Sequence, residues 1–126
     1  MSDILGIGVD VESIDRFRNR LKGKNKKFYE RIFTPLELEY CFNKKDPYPH
    51  LAARFAAKEA VIKAFSGLKK LYFSNIEVKN NDKGKPYLKI LAKGQNSKEE
   101  VINEKVLLTI SHSDKYAVAF VVVSKE

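Results

Sequence analysis

The stretch that most restricts how this chain can fold is the alanine-rich run from His50 to Phe65, the longest helical pattern present, closed by Ser66 and Gly67. Alanine has the highest helix propensity and a glycine just past the end stops a helix, so one long helix is expected there. The residues after it read differently. Ile76 to Lys79, Pro86 to Leu91, Val106 to Ile110 and Tyr116 to Val123 read as strands, with Asn81-Asp82-Lys83-Gly84 as a hairpin turn between the first two. Ser97 to Asn103 reads as a weak helix or loop. With 126 residues, 44% of them hydrophobic, the chain has material for one core rather than two. The expectation is a single domain over residues 1–126, of α+β class, with a long central helix packed on a largely antiparallel sheet.

Ahead of the long helix, Ile4 to Val11 reads as a strand in which Ile7, Val9 and Val11 alternate with Gly6, Gly8 and Asp10. Asp10 therefore points to the face opposite the β-branched residues. Ser13 is placed to cap a helix in which Ile14, Phe17 and Leu21 recur at spacings of three and four, while Arg16, Arg18, Arg20 and Lys22 occupy its other face. Phe28 to Phe33 suits a short helix. Thr34-Pro35 then opens another through about Asn43, with Glu37 at the position that completes a capping box. Asp46-Pro47-Tyr48-Pro49 is expected to break the chain before the long helix.

The balance of 24 Lys and Arg against 16 Asp and Glu leaves a net charge of +8, which attracts phosphates, acidic proteins, nucleic acid or anionic lipid. No zinc-finger spacing or RNP-like aromatic motif accompanies the charge, which argues against nucleic acid. The single cysteine, Cys41, has no internal disulfide partner and no obvious base, and reads as a buried or half-buried apolar residue in a reducing cytoplasm. Asp3, Asp10 and Glu12 interrupt the apolar stretch at the N-terminus, so it lacks signal-peptide character, and no apolar run approaches the ~20 residues needed to cross a bilayer.

Within the long helix, Phe55, Glu59 and Lys63 form one ridge, a carboxylate one turn from an ammonium. One reading is a surface ion pair. The other joins Glu59 and Lys63 to Asp10, near the C-terminal half of an apolar strand, where two carboxylates would hold a phosphate-bound magnesium ion and the lysine would offset phosphate charge. Glu12, two residues beyond Asp10, shares its face if the strand continues; it is equally a helix-start acid. Ser111-His112-Ser113-Asp114 reads as a polar turn, its residues too close along the chain for a Ser/His/Asp triad. Asp82-Lys83-Gly84-Lys85-Pro86 lacks P-loop spacing, and His50 suits a local polar contact better than a metal ligand.

Taken together, Gly6-Ile7-Gly8-Val9-Asp10, Arg54-Phe55-Ala56-Ala57-Lys58-Glu59-Ala60 with Lys63, Gly84-Lys85-Pro86-Tyr87 and Ser111-His112-Ser113 resemble the holo-[acyl-carrier-protein] synthases, in the order of that family and across essentially the whole chain. The resemblance implies a 4′-phosphopantetheinyl transferase fold, and transfer of the phosphopantetheine arm of coenzyme A to a serine of an acyl carrier protein, in the service of fatty acid synthesis. It implies that Asp10 and Glu59 bind Mg²⁺, that Lys63 contacts phosphate, and that Arg54, Lys58 and His112 bind the nucleotide and its 3′-phosphate. Glu39 is implied as a candidate for assisting proton removal. Where many relatives carry Glu three positions after the metal-binding Asp, this chain has Ser13, with Glu12 one position earlier. The family also implies a homotrimer with sites between subunits. Because acyl carrier proteins are acidic, Arg16 and Arg20 become candidates for docking one, the alternative being a solvated helix face.

Overall fold

The computed structural model describes residues 3–93 and 99–125. Strand β1 (Ile4–Ser13) leads into four helices, α1 (Ile14–Leu21), α2 (Lys26–Ile32), α3 (Pro35–Phe42) and α4 (Pro47–Ala64). A 3-10 turn (Phe73–Asn75) then precedes β2 (Ile76–Asn80), β3 (Pro86–Lys93), β4 (Glu99–Val101), β5 (Lys105–His112) and β6 (Tyr116–Ser124). The expected antiparallel sheet is divided into two of three strands each, ordered β1-β6-β5 and β2-β3-β4.

Local chemistry sets most boundaries. The Ser13 side chain accepts from the Arg16 amide at 3.3 Å and opens α1. Asn25 accepts from the Phe28 amide, which starts α2 two residues before the expected Phe28. Thr34 and Glu37 form the capping box of α3. Two expectations need correction. The Asp46–Pro49 segment does not break the chain: Asp46 caps α4 and both prolines lie in its first turn, where a missing N–H costs nothing. Within Ser97–Asn103, Glu99–Val101 is a strand because it pairs with Leu91–Lys93, a tertiary contact that local propensity cannot anticipate; Ser97 and Lys98 lie outside the described residues.

Helix α4 runs through the middle of the molecule. One side joins Ala56, Ala57, Ala60, Val61, Ala64 and Phe65 to β2, β3 and β6; its N-terminal half packs Leu51, Ala52 and Ala53 against Ile14, Phe17 and Leu21 of α1. The alanines let the helix sit close to its neighbours. On β1 the fit is closer still, because a Cβ at Gly6 or Gly8 would fall on the carbonyl oxygens of Ala64 and Ala60. The glycine face of β1 is therefore the inner one, and the β-branched face is turned outward: Ile7 is 60%, Val9 50% and Val11 57% exposed. The pairings Val9–Phe120 and Ile7–Val122 extend that apolar outer face across β6.

Candidate active site

Backbone contact between β1 and α4 places Asp10, two residues past Gly8 on the same face, against the helix. The Lys63 ammonium donates to the Val9 carbonyl at 3.0 Å and to Asp10 Oδ1 at 3.3 Å. Glu59 lies one helical turn before Lys63. β1 persists through Ser13, so Glu12 does project to the same face as Asp10. Three carboxyls thus gather where the strand meets the helix, and their electrostatics records it. Burial, then a hydrogen bond to Asp10 and repulsion by Asp10 and Glu59, push Glu12 up to about 7, against the opposing pull of Arg20. Burial and then Asp10 raise Glu59, with Lys63 opposing.

Asp10 Oδ2 is buried and has no hydrogen-bond donor. A proton on Glu12 would supply one; so would a cation. The donor set consists of hard carboxylate oxygens, as a magnesium site requires. Among the described residues, however, no three Asp, Glu, His or Cys side chains converge into a ready-made metal cage. The cluster fits an ion that takes its remaining ligands from substrate and water.

A second group lies around α4. Residues on a helix turn by about 100° each, so Glu59 and Lys63 project about 140° and 180° from Arg54. Arg54 is 5% exposed, and donates from Nη2 to Asn80 at 2.6 Å. Its guanidinium lies 4.1 Å from the Tyr40 ring centroid, and its Nε, also buried, has no partner. The Tyr40 ring meets His50 edge-on at 6.1 Å, and His50 meets His112 at 5.8 Å. Strand register sets His112 level with Ala117 and Glu12, on the same face of the sheet but roughly 10 Å from Glu12, two strand spacings. Exposed Glu39 lines a groove of about 330 Å³ with Leu36, Tyr40, Asn43, Arg54 and Asn80.

Lys58 requires a correction. Its ammonium is fully enclosed, 2.7 Å from Glu37 Oε1, and donates to the carbonyls of Ile32 and Ile76 at 2.7 Å and of Phe73 at 3.3 Å. With every proton engaged inside the protein, it has none for a nucleotide; it ties α4 to α3 and β2. Burial lowers its pKa and Glu37 counteracts the shift. The capping box revealed one use of Glu37, but its ion pair with Lys58 and its acceptance from the Val78 amide join segments that no local pattern connects. Cys41 is buried, as expected, and burial pushes its thiol up to about 11. On α1, Arg18 is tied bidentately to Asp46, leaving exposed Arg16 and Arg20 to define the basic face.

Residues 6–121 match the family model of the 4′-phosphopantetheinyl transferase superfamily. The holo-[acyl-carrier-protein] synthase of Thermodesulfovibrio yellowstonii is 44% identical over 121 residues, 96% of this chain and 99% of the relative. That of Halothermothrix orenii is 41% identical, covering 94% and 96%. Among solved structures, the Bacillus anthracis holo-(acyl-carrier-protein) synthase in complex with CoA (3′,5′-ADP) superposes with a TM-score of 0.78 at 35% identity, covering 98% of both chains. The Helicobacter pylori synthase in complex with coenzyme A superposes with a TM-score of 0.76 at 31% identity, covering 94% of this chain and 99% of that one.

Proposed function

The chain belongs to the 4′-phosphopantetheinyl transferase superfamily, and on that premise we infer that it transfers 4′-phosphopantetheine from coenzyme A to a serine of an apo-acyl carrier protein, releasing 3′,5′-ADP. The observation that carries the site assignment is the buried, partnerless Oδ2 of Asp10 among the carboxyls of Glu12 and Glu59. Asp10 and Glu59, with Glu12 beside them, would hold a magnesium ion, which when bound supplies charge neutralisation to the coenzyme A pyrophosphate.

The serine Oγ attacks the β-phosphorus of coenzyme A, the P–O bond to 3′,5′-ADP breaks and a phosphodiester forms. Lys63, half-exposed beside Asp10, offsets the negative charge of the phosphates. The serine proton passes to a carboxylate. The candidates are Glu59, which stands in the acidic cluster beside the phosphates, and Glu39, which lies in the Arg54 groove. Such chemistry asks the protein mainly for positioning and electrostatics.

Two features support a homotrimer with sites between subunits. Arg54 points away from Glu59 and Lys63 around α4, so a neighbouring copy would bring nucleotide-binding groups to the acidic cluster. The outward apolar face of Ile7, Val9, Val11 and Phe120 is the kind of surface such an assembly covers. Arg16 and Arg20 would dock the acidic carrier. Among the described residues no helix is long and apolar enough to cross a membrane, and an unpaired Cys41 suits a reducing, cytoplasmic setting.

The test is incubation with coenzyme A, Mg²⁺ and apo-carrier, followed by mass spectrometry for one phosphopantetheine addition. Asp10→Ala and Glu59→Ala should each lower turnover by about 10²-fold or more, the scale of losing a transition-state charge stabiliser. Parental rates in both variants would reject the site.

A further inference from the structure

The row of side chains from Arg54 to His112 contains one member that neither the reaction nor the fold has yet used. His50, half-buried at the start of α4, presents its ring between Tyr40 and His112, at interplanar angles of 79° and 68°. Both are edge-to-face arrangements within the distance range of favourable aromatic pairs. Tyr40 in turn carries the Arg54 guanidinium on its face, and Arg54 is held by Asn80. His112 is exposed at the end of β5, and the ring of His50 is its one aromatic neighbour among the described residues.

We propose that His50 is a positioning residue for nucleotide binding: it holds the His112 imidazole in the orientation that meets the phosphate of the substrate. The inference rests on the assignment of Arg54 and His112 to the nucleotide. His50 shares a helical face with Arg54, four residues on, so the rigid α4 supports both ends of the row. His50 does this best as a neutral ring: burial lowers its pKa, and His112 on β5, Lys44 beyond α3 and Arg54 on its own helix all oppose a proton there, while Asp46 at the helix cap favours it.

The experiment uses the full chain and 3′,5′-ADP as the probe, with binding followed by calorimetry and KM for coenzyme A measured in parallel. His50→Ala should weaken 3′,5′-ADP binding and raise KM about fivefold, the scale of one lost aromatic pair, with kcat within about twofold of the parent. His50→Phe, which keeps the ring and removes the proton, should restore both. With only two histidines in the chain, imidazole titration by NMR is unambiguous; the His50 midpoint should lie below 6.5 and move up in His112→Ala. If His112→Ala raises KM but His50→Ala leaves binding and KM at parental values, the positioning role is overturned and the site assignment stands. If His112→Ala also changes nothing, both are overturned.

Discussion

Replacing Lys58 by methionine separates its internal role from a role in binding nucleotide. The substitution keeps an unbranched side chain of similar length and deletes the ammonium that is 2.7 Å from Glu37 and bonded to three carbonyls. Both members of the pair are completely buried. Breaking such a pair leaves an uncompensated carboxylate in a low-dielectric interior, and the usual cost is about 3–5 kcal/mol. The freed carbonyls of Ile32 and Ile76 add to it, but Glu37 keeps its bonds from the Thr34 and Val78 amides, which relieve part of the loss. We expect about 4 kcal/mol, which in a domain of this size lowers Tm by roughly 15 °C. At a typical urea m-value, it lowers the unfolding midpoint by about 2 M. The measurement should hold protomer concentration constant, since self-association would add to apparent stability. Replacing both partners, Glu37→Gln with Lys58→Met, should recover part of the loss, because no uncompensated charge is then buried and the glutamine oxygen can still accept from the Val78 amide. Below its Tm the single variant should keep the parental KM for coenzyme A. A loss under about 1 kcal/mol, accompanied by a large increase in KM, would refute the reasoning and return Lys58 to the nucleotide site.

Gly8→Ala forces a Cβ onto the Ala60 carbonyl, so β1 and α4 must separate; thermal melts should show a loss of about 1–3 kcal/mol, with turnover falling as Asp10 moves from Lys63. The Glu12 carboxyl, raised from 4.5 to about 7, keeps a proton in the folded state that the unfolded chain has released, so its stabilising contribution is full below 4.5 and is lost as pH rises through 7. Adding Mg²⁺ should therefore raise Tm more at pH 8 than at pH 5, and Glu12→Gln should flatten the pH dependence; identical Mg²⁺ responses at both values would contradict a cation in the carboxyl cluster. Arg16→Glu should raise KM for the carrier protein several-fold at low salt and reduce the salt dependence of the reaction, while kinetics indistinguishable from the parent would place docking elsewhere.

Much of the fold and part of the site were determined by chain order alone. Alternation along β1 sent Asp10 to one face and the β-branched residues to the other, because strand geometry leaves no choice; Ser13, Thr34 and Glu37 marked helix starts because capping is local chemistry. The i,i+4 spacing of Glu59 and Lys63 put a carboxylate and an ammonium on one helical ridge. What required the folded molecule was everything that depends on which segments meet. The apolar side of β1 looks like the inner one until the close approach of α4 shows that only glycines fit beneath it. Lys58 lies next to Glu59 in sequence but is swung into the interior, because 100° per residue separates neighbours on a helix. Its partner Glu37 comes from another helix, just as His50 finds His112 on a distant strand. Chain order supplied the chemical groups and their local directions; only close packing could decide which of those directions lead into the protein and which lead toward a substrate.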